Sequence, residues 1–396
     1  MGVDPHSERE RLLVLGAGPA QLGLLRSARA RGLAVVACDR DRGAVGLRYA
    51  RRHALVSTED EEGIESAALS EGVGGLIAPG IDWPVAIAAR VAARLGLPHP
   101  LDPETAALTV SKVRQRERFD AAEVPQPRWR LVSSAEENTE LPCVVKPPDR
   151  QGQVAVTLVR EPGELRHALE AALSASREGT ALIEEWVDGP EVTVNAFSVE
   201  GRFRALTVTD RLTAEPPAFG VALAHAWPST QAVEEAVDAA VHAATALGVR
   251  EGPTYTQIRM GPDGPKVIEL AARLGGGHDA LLCEAALGID LNALAIAAAF
   301  GRRVEIPPAR PAGGACVAFL VPTPGRLRTV EGLEAAREVP GVLDVVTYRP
   351  PGWQFGPLLV GADRAGYVLV RGESRGDALS RAAAAADRIQ FVVESR

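Results

Sequence analysis

The sequence predicts a chain that is α/β at its front and α+β beyond it, and three observations carry that prediction. From Leu12 to about Leu97, short apolar strands alternate with amphipathic helices, the pattern of a parallel sheet with helices packed on it. From about Arg128, strand and hairpin patterns dominate. After the proline-rich link "IPPARPAGG", a smaller α+β lobe runs from "ACVAFLVPTPG" to a final helix, "SRGDALSRAAAAADRI". The chain shows no internal repeat.

In order, "LLVLG", a helix from Ala20 to Ala30, "LAVVACD", "HALV", "GGLIAPG" and a helix from about Pro84 to Leu95 make a Rossmann-like front. Its opening turn, "GAGPAQLG", places Gly16 and Gly18 after a strand, and Asp39 ends the next strand, which invites a dinucleotide reading. The third glycine position holds Gln21, with Gly23 two residues late, so a tight strand-to-helix turn is favoured over NAD or FAD binding. The second region carries "RWRLVSS", "CVVKPP", "VAVTLVRE", "ALIEEWV" and a hairpin, "EVTVNAFSVEGRFRALTVTD", turning at Glu200-Gly201. A helix follows over "STQAVEEAVDAAVHAATALG", with Val233, Val237, Val241 and Ala244 on one face, Ser229 or Thr230 as cap and Gly248 as stop. The next hairpin, "YTQIRMGPDGPKVIEL", turns at Pro262-Asp263-Gly264.

Bulk properties exclude several classes. The 396 residues are 46% hydrophobic and 24% charged, ordinary for a multidomain globular chain. A net charge of -8 with no basic tail argues against nucleic acid as a partner. The longest apolar stretch, Leu291 to Phe300, is about half the roughly 20 residues a bilayer crossing needs and reads as a buried helix. The start, "MGVDPHSERERLLVLG", lacks the apolar core of an export signal. Cys38, Cys143, Cys283 and Cys316 are dispersed in apolar surroundings and read as core residues of a reducing, cytoplasmic compartment.

Chemistry concentrates in a few segments. Lys112, in "TVSKVRQRERF", falls at a helix start; on its own it reads as a solvated helix lysine. Lys146 sits inside the apolar strand of "PCVVKPPDRQGQVAV", where an ammonium is costly to bury without an anion, and a nucleotide phosphate is one such partner. "LIEEWVDGPEVTV" reads in two ways. It is an exposed connection, or it is an adenosine pocket in which the backbone from Glu185 to Val187 meets adenine and Glu191 accepts from ribose hydroxyls.

The order of Lys112, Lys146 with its polar loop, "EEWVDGPE" and a hairpin ending in "IELAARLGGG" resembles the ATP-grasp superfamily of ADP-forming ligases, over nearly the whole chain. The closing segment resembles the C-terminal lobe of its L-amino-acid ligase and biotin-carboxylase-like branches. The resemblance implies a Rossmann-like domain over 1–105, an ATP-grasp domain over 106–310 with a mobile lid at about 128–187, and a C-terminal α+β lobe over 311–396. It implies ATP and magnesium as cofactors, with manganese as the alternative ion, small carboxylate and amine substrates, and a homodimer. Carried onto this sequence, Lys112 and Lys146 contact the phosphates, with Gly152 in the loop that covers them. Glu184, Glu185, Trp186, Val187 and Glu191 hold adenine and ribose, and Glu269 and Gln257 bind the metal. The sequence departs from the family pattern at Gln257, usually glutamate, at Ala271, often asparagine, and in a covering loop that keeps only Gly152.

On that mapping, Arg273 grips an acyl phosphate or oxyanion through two parallel hydrogen bonds, and Gly275, Gly276 and Gly277 let backbone N–H groups approach the same anion. His278 is either a base for the incoming amine or a hydrogen-bonding support. Asp82, Trp83, His225, Trp227 and Trp353 are candidate walls of the substrate pocket. The expected reaction is carboxylate–amine ligation through an acyl phosphate, dipeptide or amino-acid amide synthesis first. Its rivals are a bicarbonate-using carboxylase and a nucleotide-binding module that performs no ligation.

Overall fold

A computed structural model describes residues 10–394; most of the amino-terminal segment read for an export signal, residues 1–9, lies outside the described residues. The front comprises β1 (Arg11–Leu15), α1 (Leu22–Ala30), β2 (Ala34–Cys38), β3 (Arg52–Ala54), α2 (Glu61–Glu71), β4 (Gly75–Ile77) and α3 (Trp83–Leu95). Its four strands are parallel in the order β3-β2-β1-β4. Leu13 and Leu15 of β1 enter one core, Leu12 and Val14 the other, so both faces of the strand are covered. That is why β1 reads as an unbroken apolar run.

The turn after β1 is a tight strand-to-helix connection, as expected. Asp39 Oδ2 accepts the Ala17 N–H at 2.8 Å, and the Gln21 amide donates to Pro79 O at 2.7 Å. The acidic residue that would bind a ribose thus holds the turn instead. Two helices lead out of the front, α4 (Pro103–Val110), capped by Asp102, and α5 (Lys112–Ala121), capped by Ser111.

The next segment folds on itself. β5 (Trp129–Val132), β6 (Cys143–Lys146), β7 (Thr157–Val159), α6 (Pro162–Ala175) and β8 (Ala181–Glu185) form an antiparallel sheet, ordered β5-β8-β6-β7, with its own core around Val145, Val159, Leu169 and Ile183.

The rest builds one large sheet. β9 (Glu191–Val199), β10 (Arg202–Thr213), β11 (Ala222–Trp227), α7 (Val233–Ala246), β12 (Gly252–Gly261), β13 (Gly264–Ala271), α8 (Asp279–Leu287) and α9 (Leu291–Ala299) come first. Then follow β14 (Gly314–Leu320), β15 (Gly325–Glu331), α10 (Leu333–Arg337), β16 (Val342–Thr347), β17 (Gln354–Phe355), β18 (Gly366–Gly372), α11 (Arg375–Ala386) and β19 (Gln390–Val393). Eight antiparallel strands run β13-β12-β9-β10-β11-β14-β18-β16. Three strands of the closing segment therefore continue the central sheet, joined by pairs such as Ala224 with Ala318, and only β17-β15-β19 stand apart.

One cap differs from expectation. Helix α7 starts at Val233 with Ala232 in the cap position, because Ser229 and Thr230 turn their hydroxyls to the Asp210 carboxylate at 2.5 and 2.9 Å. All four cysteines are buried and unpaired. Among the described residues no helix is long and apolar enough to cross a membrane.

Candidate active site

A cavity of about 690 Å³ lies where the turn after β1, the start of α5, the β6–β7 loop, the central sheet and the closing segment meet. Nine ammonium or guanidinium side chains line it against five carboxylates, in a chain whose net charge is -8. The lining is therefore net positive, which favours an anionic ligand.

One end is built by the β12–β13 hairpin. The tight turn leaves Gly261 opposite Gly264, a register that by counting would set Gln257 opposite Ile268, yet Gln257 lies directly opposite Glu269. A bulge intervenes: Ile258 pairs with Val267, so Ile268 is the extra residue, and Ile268 and Glu269 both line the cavity. β13 is an edge strand, and its open backbone is covered from α5. Gln115 bonds both the Leu270 N–H (3.0 Å) and the Leu270 carbonyl (2.9 Å). Arg116 donates to Val267 O (2.9 Å) and Ile268 O (2.7 Å). Helix α5 thus holds the bulge that aims Glu269. Sequence reasoning missed both residues, because "KVRQRERF" reads as a solvated helix.

The lysines converge on this end. Lys112 Nζ lies 3.2 Å from Glu269 Oε2, and Lys146 Nζ lies 2.7 Å from Glu184 Oε2. Burial pulls the Lys112 ammonium pKa down, but Glu269 and Asp82 outweigh it and raise the pKa. For Lys146 burial prevails over Glu184, with Arg116 and Lys112 adding to it, and the pKa is lowered. Burial pushes the Glu269 carboxyl up, yet Lys112, Lys146 and Arg273 bring it down to about 2, so it stays ionised. One carboxylate and one amide oxygen suit a hard cation that completes its shell with phosphate oxygens and water. Among the described residues no group of three His, Cys, Asp or Glu could hold an ion without such help.

Glu184 takes a different part from the one expected. It is 3% exposed and lies between Lys146 and Arg116, whose Nη2 is 2.8 Å from Oε1. Both oxygens are engaged by these two cations, so it positions Lys146. Glu185 pairs with Arg128. The Glu185 and Trp186 N–H groups go to Arg128 O (2.9 Å) and Pro142 O (3.3 Å). Val187 lines the cavity, and its N–H has no partner among the described residues. Trp186 stacks beneath the Arg259 guanidinium, 4.1 Å from its ring centroid. Glu191 lines the cavity, with Oε1 on Arg211 and Oε2 3.7 Å from Arg259.

The segment after β13 departs further from expectation. Oδ1 of Asp82 takes the Nε–Nη2 edge of Arg273 at 2.6 and 2.5 Å, and Nη1 donates to Leu274 O. The fork expected to grip an acyl phosphate is therefore occupied, and Arg273 presents charge through its remaining N–H groups. The three glycines answer to crowding: a Cβ would stand 2.2 Å from Asp279 Oδ2 at Gly275, 2.8 Å from Gly80 O at Gly276 and 2.7 Å from His225 Nε2 at Gly277. The Gly277 N–H goes to Asp279 at 3.1 Å rather than to a ligand, and Gly275 lies outside the cavity lining. Gly152 is in the left-handed region at φ 71°, and its carbonyl accepts the Gly361 N–H at 3.0 Å. Beside it, Gln151 Oε1 accepts the Asp82 N–H at 2.5 Å.

His278 is built as a support. Its Nε2 shares a 2.6 Å hydrogen bond with the Tyr348 hydroxyl, and its ring stacks 4.0 Å from that of Tyr367. Burial, aided by Arg364 and His225, lowers its pKa to about 3. His225, 3.5 Å from Asp279, is lowered to about 4 by burial, with Asp279 opposing and Arg211 and Arg364 reinforcing. Both rings stay neutral near pH 7. The pH–rate profile is accordingly expected to show no histidine inflection between about pH 5.5 and 7.5. An inflection near 6.5 that His278→Gln abolishes would reinstate His278 as the base.

Of the candidate walls, Asp82 and His225 line the cavity, and Trp83, Trp227 and Trp353 do not. Trp83 lies under Arg177 and Trp353 under Arg349. Trp227 packs against the core. Tyr255, Tyr348, Arg211, Arg349 and Arg364, none of them anticipated, line the cavity instead.

Comparison with known proteins gives the family. The model of the ATP-grasp domain matches residues 139–280, and that of the L-amino acid ligase C-terminal domain 2 matches 318–394. A D-alanine--D-alanine ligase of Gloeobacter violaceus is 30% identical over 219 residues, 50% of this chain and 72% of that protein. The uncharacterized protein y4rH of Sinorhizobium fredii is 30% identical over 301 residues, 73% of this chain; the alignment spans 62% of that relative's length. The crystal structure of L-amino acid ligase from Bacillus licheniformis shares the fold, with a TM-score of 0.82 at 21% identity over 98% of this chain and 99% of that one. The chain belongs to the ATP-grasp superfamily of ADP-forming ligases.

Proposed function

We propose that the chain joins a small carboxylate to a small amine, amino acids first among them, in the cytoplasm and with ATP and magnesium. The observation that carries this reading is the convergence of Lys112, Lys146, Glu269, Gln257 and Arg273 on one cavity. The carboxylate oxygen takes the γ-phosphoryl group of ATP, ADP departs, and an acyl phosphate results. The amine nitrogen attacks the acyl carbon, the carbon–oxygen bond to phosphate breaks, and the nitrogen's proton is lost. Amide, ADP and inorganic phosphate are released. Magnesium, when bound at Glu269 and Gln257, would neutralise charge on the phosphates. Lys112 and Lys146 bind the phosphate oxygens, and Arg273, oriented by Asp82, stabilises the oxyanion at the acyl carbon. A homodimer is the assembly expected from the family resemblance.

The test is a screen of paired carboxylates and amines, with ADP and AMP separated and products weighed by mass spectrometry. ADP released only with both partners, together with a product lighter than their sum by one water, is the expected result. ADP release that requires bicarbonate and no amine would assign the chain to carboxylation. AMP as product, or ATP binding without turnover, would end the ligase reading.

A further inference from the structure

Seven arginines line the cavity: three are paired, and of the four without a carboxylate within 4.0 Å among the described residues, Arg40 belongs to the front and Arg150 to the β6–β7 loop. Arg211, Arg259 and Arg273 pair with Glu191 or Asp82. Arg349 and Arg364 form no carboxylate pair within 4.0 Å among the described residues. Both are anchored to one turn through backbone carbonyls. Arg364 Nε donates to Gly361 O at 2.8 Å, and Arg349 Nη2 donates to Ala362 O at 3.2 Å. Each also lies over an aromatic ring, Arg364 3.7 Å from the Phe319 centroid and Arg349 4.0 Å from that of Trp353. Ring and carbonyl fix the planes and leave N–H groups unspent.

Their surroundings do not discharge them. Burial lowers the pKa of both; Asp279 opposes this at Arg364, and Asp41 and Asp363 at Arg349, all from beyond pairing distance. Asp279 is engaged by the Gly277 N–H, and Asp363 by the Leu359 and Val360 N–H groups. His225 and His278, on the same side, are neutral. Two positive groups without a counter-ion face the cavity there, and a partly desolvated guanidinium with free donors is a receptor for a planar oxyanion.

Strand order says which part of a ligand they meet. Arg364 reaches Ala222 O at the start of β11 and covers Phe319 of β14. Along the sheet β11 is four strands from β13, which carries Glu269. At ~4.8 Å per strand the two strand axes stand about 19 Å apart. The transferring phosphoryl group belongs to the Glu269 end, so the anion at Arg364 is one that does not react.

We propose that Arg349 and Arg364 bind a second, unactivated carboxylate of the substrate pair and thereby select substrates that carry one. This rests on the ligase reading above. Two molecules could bring that group: the amine, if it is itself an acid, or the activated acid, if it is a diacid.

The test is equilibrium calorimetry on the full chain with MgADP present, so that it does not depend on turnover. The probes are L-amino acids against their carboxamides, and succinate and glutarate against their half-amides. At least one acid is expected to bind about 30-fold or more tighter than its amide. An amino acid that does so identifies the amine as the source, and a diacid identifies the activated acid. Arg364→Met is expected to erase that preference and Arg349→Met to weaken it about tenfold, with MgADP affinity within about twofold of wild type; Arg364→Lys should restore part of it. Acids and amides binding alike, or Arg364→Met keeping the preference while still binding MgADP, would overturn the assignment. Failure of the ADP screen with this binding preference intact would remove the ligase reading and leave the carboxylate site standing.

Discussion

Glu269→Gln is expected to lower the turnover of ADP formation by about 10³-fold and to raise the magnesium concentration needed for half-maximal rate by at least about tenfold. Gln257 is neutral and faces Glu269 in register, so after the change two amide oxygens would confront a hard dication with no formal charge between them. The same substitution takes from Lys112 the carboxylate 3.2 Å away. Burial, the largest influence on Lys112, would then be opposed less strongly, and its pKa would fall from its raised value. The phosphate end would lose a metal ligand and part of a cation together. Gln257→Glu supplies a control of opposite sign, since a second carboxylate should tighten magnesium binding. Steady-state rates across a magnesium titration decide the matter: a Glu269→Gln enzyme within about threefold of wild type at every magnesium concentration would remove Glu269 from the metal site.

What could be read from the chain and what could not divide along a physical line. β1 and Lys146 announce themselves locally, the one as an apolar run and the other as an ammonium among apolar neighbours. Gln257 and Glu269 are reached through the family resemblance, since counting from the Gly261–Gly264 turn alone would set Gln257 opposite Ile268. Nothing local marks the extra residue Ile268, since a bulge depends on which carbonyls a distant side chain captures, here those taken by Arg116. Arg273 looked like a free fork because its partner, Asp82, lies 191 positions away. The resemblance assigns Glu184 to the nucleoside, and the guanidinium that engages it was not legible because it sits on a helix whose charges resemble a solvated face. Which neighbour the first strand of the closing lobe takes was not legible, because strand alternation does not specify pairing, and β14 pairs back onto β11. Which tryptophans line the cavity was not legible for a related reason: ring size favours burial or stacking anywhere, and here Arg177, Arg259 and Arg349 cover three of the five rings.

Glu184→Gln is expected to destabilise the folded chain by about 3–5 kcal/mol near pH 7, the range for removing one member of a buried ion cluster. Arg116 is 2% exposed and Lys146 5%, and Glu184 is the carboxylate both of them pair with, so two buried cations would be left uncompensated. The pH dependence distinguishes this from a packing defect. Burial raises the Glu184 pKa, but Arg116 and Lys146 prevail and hold it below its ordinary 4.5. Its contribution is therefore complete above about pH 4.5 and is lost as pH falls through the lower folded value. Lys146 is lowered from 10.5, chiefly by burial, so the cost of keeping it charged is relieved as pH climbs toward 10.5, and sooner when Glu184 is gone. The stability gap between wild type and Glu184→Gln should be widest near neutrality and narrow at both ends of the pH range. Denaturant melts at pH 4, 7 and 9.5 measure it. A gap of the same size at all three would mean that Glu184 acts through shape alone and that Lys146 is charged by some other partner.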